Sequence, residues 1–136
     1  MTWQAIRAGA AYFRIVFVLA FALGVVRTLV TAPWLGEWPA LLIEAPILLF
    51  AAWRICGWVV ARFAVPPAWS LRLLMGGAAF ALLMAAELAL SVLLFGRTPA
   101  QHFASYAQPL AQAGLAAQML FALLPIWVSR QRTGER

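Results

Sequence analysis

Residues 71–95 read LRLLMGGAAFALLMAAELALSVLLF, an apolar run broken only by Arg72 and Glu87. At about 1.5 Å per residue a helix of this length crosses a hydrocarbon layer roughly 30 Å thick. Three further stretches have the same character, over about 10–32, 40–63 and 110–128. Barrel strands would be about ten residues long and strictly alternating, and that pattern is absent. The fold class expected is therefore an all-α membrane protein, a four-transmembrane-helix bundle in a single domain over residues 1–136.

Composition agrees. The chain is 65 % hydrophobic and 10 % charged with a mean hydropathy of +0.91, where soluble domains carry about a quarter charged residues. The apolar N-terminal run holds Arg14 and Arg27 and is followed by more spans, so it reads as the first helix and not as a cleaved signal peptide.

The gaps between runs hold helix-breaking residues. Pro33, Gly36 and Pro39 separate the first two spans, Pro66 and Pro67 the next two, and Gly96 and Pro99 close the third. Proline has no amide hydrogen and its ring clashes with the preceding turn. In the longest connection, 96–109, Thr98-Pro99 has the form of an N-cap followed by a first-turn proline. A short helix lying on the outer surface is expected there, with an irregular loop the alternative.

Net charge is +6, and every basic residue is an arginine. Without lysine, no Schiff-base chemistry is available. Nucleic-acid binders cluster their basic residues on one face. Here they are scattered singly, so nucleic acid is not an expected partner. The N-terminal end has Arg7 and Arg14, the 64–70 turn is flanked by Arg62 and Arg72, and the tail has Arg130, Arg132 and Arg136. Positive residues stay on the cytoplasmic side. Both termini are thus expected in the cytoplasm (N-in/C-in), with the 33–39 and 96–109 loops outside, in a bacterial inner membrane. Trp34, Trp38, Trp69 and Trp127 fall near the span ends, where amphipathic rings prefer to lie.

Charges inside the spans carry the functional signal. Arg27 and Glu44 lie about 7 Å below the outer ends of their helices, and Glu87 about 12 Å. Charge is costly there and requires a partner, water or a path to the interface. These three residues are the expected intramembrane polar cluster. One arginine cannot neutralise two carboxylates in a dry site, which leaves one as a candidate proton carrier. The competing reading is a plain ion pair, Arg27–Glu44 or Arg27–Glu87, that fixes helix packing. Arg54 is a second intramembrane charge, expected to find a partner on another helix, or water, or to snorkel. Gly77, Ala81, Ala85 and Ala89 recur every four residues on the third span, the pattern that lets helices approach closely. Such small or polar faces are expected to turn inward. Pro46 and Pro125 sit within spans and can kink them.

Chemical motifs are few. Cys56 is the only cysteine and His102 the only histidine, so no disulfide forms within the chain and no bis-histidine haem site exists. His102 reads as an ordinary loop residue, Cys56 as a small hydrophobe. No metal or cofactor motif is present, and no cofactor is expected. A Ser91–His102 dyad can be written, but Ser91 lies in an apolar helix. The expected function is transport of a small solute or ion through the Arg27, Glu44 and Glu87 cluster. Four spans barely enclose a pathway, so an oligomer is expected. The alternative is an accessory or structural subunit that binds a larger membrane complex or membrane lipids. An enzyme acting on lipid head groups is the least supported.

Overall fold

The computed structural model describes the backbone of residues 2–134 and the side chains of residues 2–128. Arg130, Arg132 and Arg136 of the tail, read above as topology signals, therefore fall outside the described side chains. The structure is 90 % helical with no strand among the described residues. Four helices are long and apolar enough to cross a membrane, as an integral membrane protein requires.

The elements are α1 (Thr2–Val26), a π-helical turn (Arg27–Thr31), α2 (Ala32–Leu35), α3 (Glu37–Arg62), α4 (Trp69–Leu93), α5 (Pro99–Ala104), a 3₁₀ turn (Ser105–Ala107) and α6 (Pro109–Gly134). The expected short helix in the third connection is α5. Thr98 caps it in a capping box with Gln101, and Pro99 occupies the first turn. The first span is longer than the sequence reading, running as one helical rod over Thr2–Leu35. Pro33 does not end it. The chain reverses at Gly36, whose φ of 90° suits a residue without Cβ.

The four long helices form a ring in the order α1, α4, α6, α3, each packed on the next. Successive helices run in opposite directions, so α1 and α4 are parallel neighbours. The 63–68 connection must then cross the diagonal of the bundle. Its geometry is tight. Ala64 takes a positive φ of 51°, a conformation costly for a residue with Cβ. Val65 is buried beneath the bundle, 4 % exposed.

Side chains from two helices hold that crossing. Gln4 of α1 donates to the carbonyls of Phe63 and Ala64. Arg72 of α4, 2 % exposed, donates to Val65, Pro66 and, across to α6, Pro125, each at 3.1 Å. Read in the sequence as a topology signal, Arg72 is a buried ligand for backbone carbonyls. Higher in the core Tyr12, fully buried, stacks on Phe121 with ring centroids 4.4 Å apart. Its hydroxyl donates to the Phe121 carbonyl at 2.8 Å. That carbonyl lacks its usual helical partner because Pro125, four residues on, has no amide hydrogen.

Close approach is set by two glycines. A Cβ on Gly9 would lie 2.5 Å from the Met75 carbonyl oxygen, and one on Gly76 would lie 1.9 Å from that of Ala122. These are the α1–α4 and α4–α6 crossings. The expected packing row is corrected here. Gly77, Ala81, Ala85 and Ala89 are all exposed, and nothing lies within 4 Å of a Cβ built on Gly77. Adjacent helical residues differ by about 100°, so choosing Gly77 over Gly76 selects the wrong face. On the second span Glu44, Ala51, Trp58 and Arg62 align at helical spacing, a face expected to turn inward, yet Trp58 is 59 % exposed and Arg62 is exposed.

The two adjacent glycines therefore respond oppositely to alanine. Gly76→Ala overpacks backbone against backbone and should cost about 1–3 kcal/mol. Gly77→Ala should be neutral, or stabilising by up to about 1 kcal/mol through helix propensity. Unfolding of the two variants in detergent micelles measures both.

Candidate functional site

The far end of the bundle, opposite the 63–68 crossing, holds the expected charges but divides them between two places. The first is the π turn. Ala32 N–H reaches back to the Arg27 carbonyl, five residues earlier, and Thr28 Oγ1 donates to the Gly24 carbonyl at 2.9 Å. Such turns insert a residue into a helix and re-aim the side chains around them. Arg27 Nη1 lies 3.1 Å from Glu44 Oε2 on α3, with side-chain exposures of 38 % and 12 %. Glu44 Oε2 is nonetheless without an aligned hydrogen bond. The contact is a charge pair without straight N–H···O geometry, joining the end of α1 to α3.

Glu87 belongs to a different group. Gln118 Nε2 of α6 donates to Glu87 Oε1. Tyr106 of the 3₁₀ turn donates to Oε2 at 3.5 Å. The Tyr106 oxygen also lies 3.4 Å from His102 Nε2. A phenol has one proton. When Tyr106 gives it to Glu87, His102 Nε2 must carry the hydrogen that completes the contact. The result is a directed chain, His102 to Tyr106 to Glu87. It leads from α5 to a carboxylate about 9 Å inside the end of α4.

Local sequence builds this chain. The capping box and Pro99 start α5, which turns His102 inward to 8 % exposure. Four residues on, Tyr106 falls on the same side, and the rings of His102 and Tyr106 meet edge-on at 5.4 Å. Partial burial, then the neighbouring Glu87 charge and the bond to it, push the Tyr106 phenol above its ordinary value. It therefore keeps its proton, and its role as donor, throughout the neutral range.

Two polar atoms nearby lack partners. Ser91, one turn beyond Glu87 on α4 and 5 % exposed, has an unbonded hydroxyl, and Gln118 Oε1 is also unbonded. Both accept hydrogen bonds, so the site suits a small donor such as water, a proton carrier or an ammonium-like cation. Among the described residues no group of three or more His, Cys, Asp or Glu could hold a metal ion.

Arg27 and Glu44 are thus brought together, and Glu87 takes other partners. Arg54 is exposed on α3. His102, read as a loop residue, is a buried member of the site. Gln118 shares a face of the fourth span with Ala111, Gly114 and Ala122, one of the small or polar faces expected inward, and its partner is Glu87. A signal for Tyr106 existed in its helical spacing from His102.

The separation can be tested with double-mutant cycles. Arg27→Ala and Glu44→Ala should show a coupling energy of about 0.5–3 kcal/mol in unfolding experiments, while Arg27→Ala and Glu87→Ala should add within about 0.5 kcal/mol. No protein-family model, characterised protein or solved structure matches this chain, so only the chemistry of these residues speaks to function.

Proposed function

We propose that this chain is a small inner-membrane protein, with both termini cytoplasmic, that serves transport of a small solute or ion by taking up a proton or small cation at Glu87. One observation carries the reading. A half-buried carboxylate within a candidate span is joined to the end of the bundle by a continuous hydrogen-bonded chain through Tyr106 and His102. An ionisable residue within a span is by default a functional-site hypothesis, ion pathways and proton relays among the roles it marks. In the proposed orientation His102 is at the outer face, so charge enters from outside.

The other half of the bundle is filled. Tyr12, Phe121, Met75 and Arg72 are all buried there. In this reading charge enters from the His102 side alone, and release to the other side requires the α4–α6 contact to loosen or a second copy to complete the path. Arg27 and Glu44, in this reading, fix the α1–α3 packing and are not part of the pathway.

The test uses the proton itself as probe. Purified protein in liposomes with a trapped pH dye and an imposed potassium diffusion potential should show proton uptake. Glu87→Gln should abolish it. Tyr106→Phe, which loses a hydrogen bond to a charged group, should slow it about tenfold or more. Uptake that is absent in the native protein, or unchanged in a folded Glu87→Gln variant, would refute the reading.

A further inference from the structure

The middle of α3 carries a charge that the described chain does not answer. Arg54 is exposed, and no ion pair or hydrogen bond among the described residues reaches it. It lies nine residues before Phe63, whose carbonyl receives Gln4 at the bundle end. That is about 13 Å inside, close to the middle of a hydrocarbon layer roughly 30 Å thick.

Snorkelling does not resolve it. Helical side chains lean toward the helix N-terminus. For α3 that is the far end, so the Arg54 stem leans toward the bilayer centre and away from the nearer surface. Arg14 makes the contrast. It is also exposed and sits at a similar depth on α1, ten residues from Gln4, but it leans toward the near surface and can reach it.

A second copy of the chain does not resolve it either. In a side-by-side dimer equal residues lie at equal depth. Glu44 is about 15 Å farther along α3 and Glu37 about 25 Å. Glu44 is already paired with Arg27, and Glu87 is held by Gln118 and Tyr106. Glu135, outside the described residues, follows Gly134 at the end of α6.

The surroundings form a docking surface. Ile47, Phe50, Arg54 and Trp58 fall within about 80° of one helical face, and the three apolar members are 53 %, 62 % and 59 % exposed. Beside them runs an open apolar groove of about 360 Å³ between α3 and α6, lined by Leu49, Phe50 and Trp53 with Leu120, Leu123 and Trp127. We infer that this face binds a transmembrane helix of a different protein, which places an Asp or Glu at the bilayer centre against Arg54 and an apolar side chain in the groove. The inference is independent of the role of Glu87.

The test is made in phosphatidylcholine vesicles holding the full chain and a fluorescent poly-leucine transmembrane peptide. The peptide carries a central Asp, or Asn at the same position. Energy transfer should report association about tenfold or more tighter for the Asp peptide. Arg54→Leu should erase that preference and Arg54→Lys should restore part of it. Arg54 is exposed, so both variants should elute as native protein does. Equal binding of the two peptides, or a preference that survives in Arg54→Leu, would overturn the inference. Two other outcomes also sink it. One is Arg54-dependent energy transfer between two labelled copies of the chain. The other is Arg54-dependent enrichment of a spin-labelled phosphatidylglycerol with no preference between peptides.

Discussion

Pro125 imposes the constraint on which the bundle depends. It removes one amide hydrogen from α6 and leaves the Phe121 carbonyl without a helical partner. In water such a group would be solvated, but inside a membrane it costs several kcal/mol unless the protein answers it. Tyr12 does so from α1, directly across the ring of helices, and its ring stacks on Phe121 as it arrives. The Pro125 carbonyl, in turn, takes a bond from Arg72 of α4. One proline thus draws two other helices to α6 at defined heights. Gly9 and Gly76 let the backbones of α1 and α4, and of α4 and α6, approach closely beside these contacts.

The same contacts explain the connectivity. A four-helix ring with parallel neighbours needs a connection across its diagonal, which exposes carbonyls at a helix C-terminus to a buried corner. Gln4 and Arg72 supply the donors. A guanidinium has five N–H donors and no acceptor, which suits a corner rich in carbonyl oxygens. Arg72 ties together backbone carbonyls of the crossing and of α6 at this end of the bundle.

How much of this the sequence discloses depends on which coordinate is asked for. Depth is legible. It follows from counting residues from Gly36, Pro66 and Gly96, and it places Arg27, Glu44 and Glu87 in one half. Rotation is not. Whether Arg27 reaches Glu44 or Glu87 depends on the cyclic order of helices, and a chain of alternating spans does not specify that order. The glycine pair at 76 and 77 shows the sensitivity: both fit a small-residue row, and only packing against Ala122 distinguishes them. The roles of Tyr12 and Arg72 were hidden for another reason. Each serves a backbone group, and a freed carbonyl leaves no mark in composition except the proline that freed it. The short helix α5 was legible because its cap is local, whereas the inward turn of His102 depended on where α4 and α6 end.

The two halves of the molecule therefore divide their tasks by the kind of polar group they bury. Near the 63–68 crossing Gln4 and Arg72 donate to backbone carbonyls, which locks the backbone. Around Glu87 the bonds run between side chains, and two acceptors, Ser91 Oγ and Gln118 Oε1, remain open. Bonds between side chains can exchange partners without breaking a helix, while a bond that replaces a missing helical one cannot be given up cheaply. A change of state in this protein is thus expected to begin around Glu87, Tyr106 and His102. It should pivot on the Tyr12–Phe121 and Arg72–Pro125 contacts, which hold α1, α4 and α6 at fixed heights while their far ends separate.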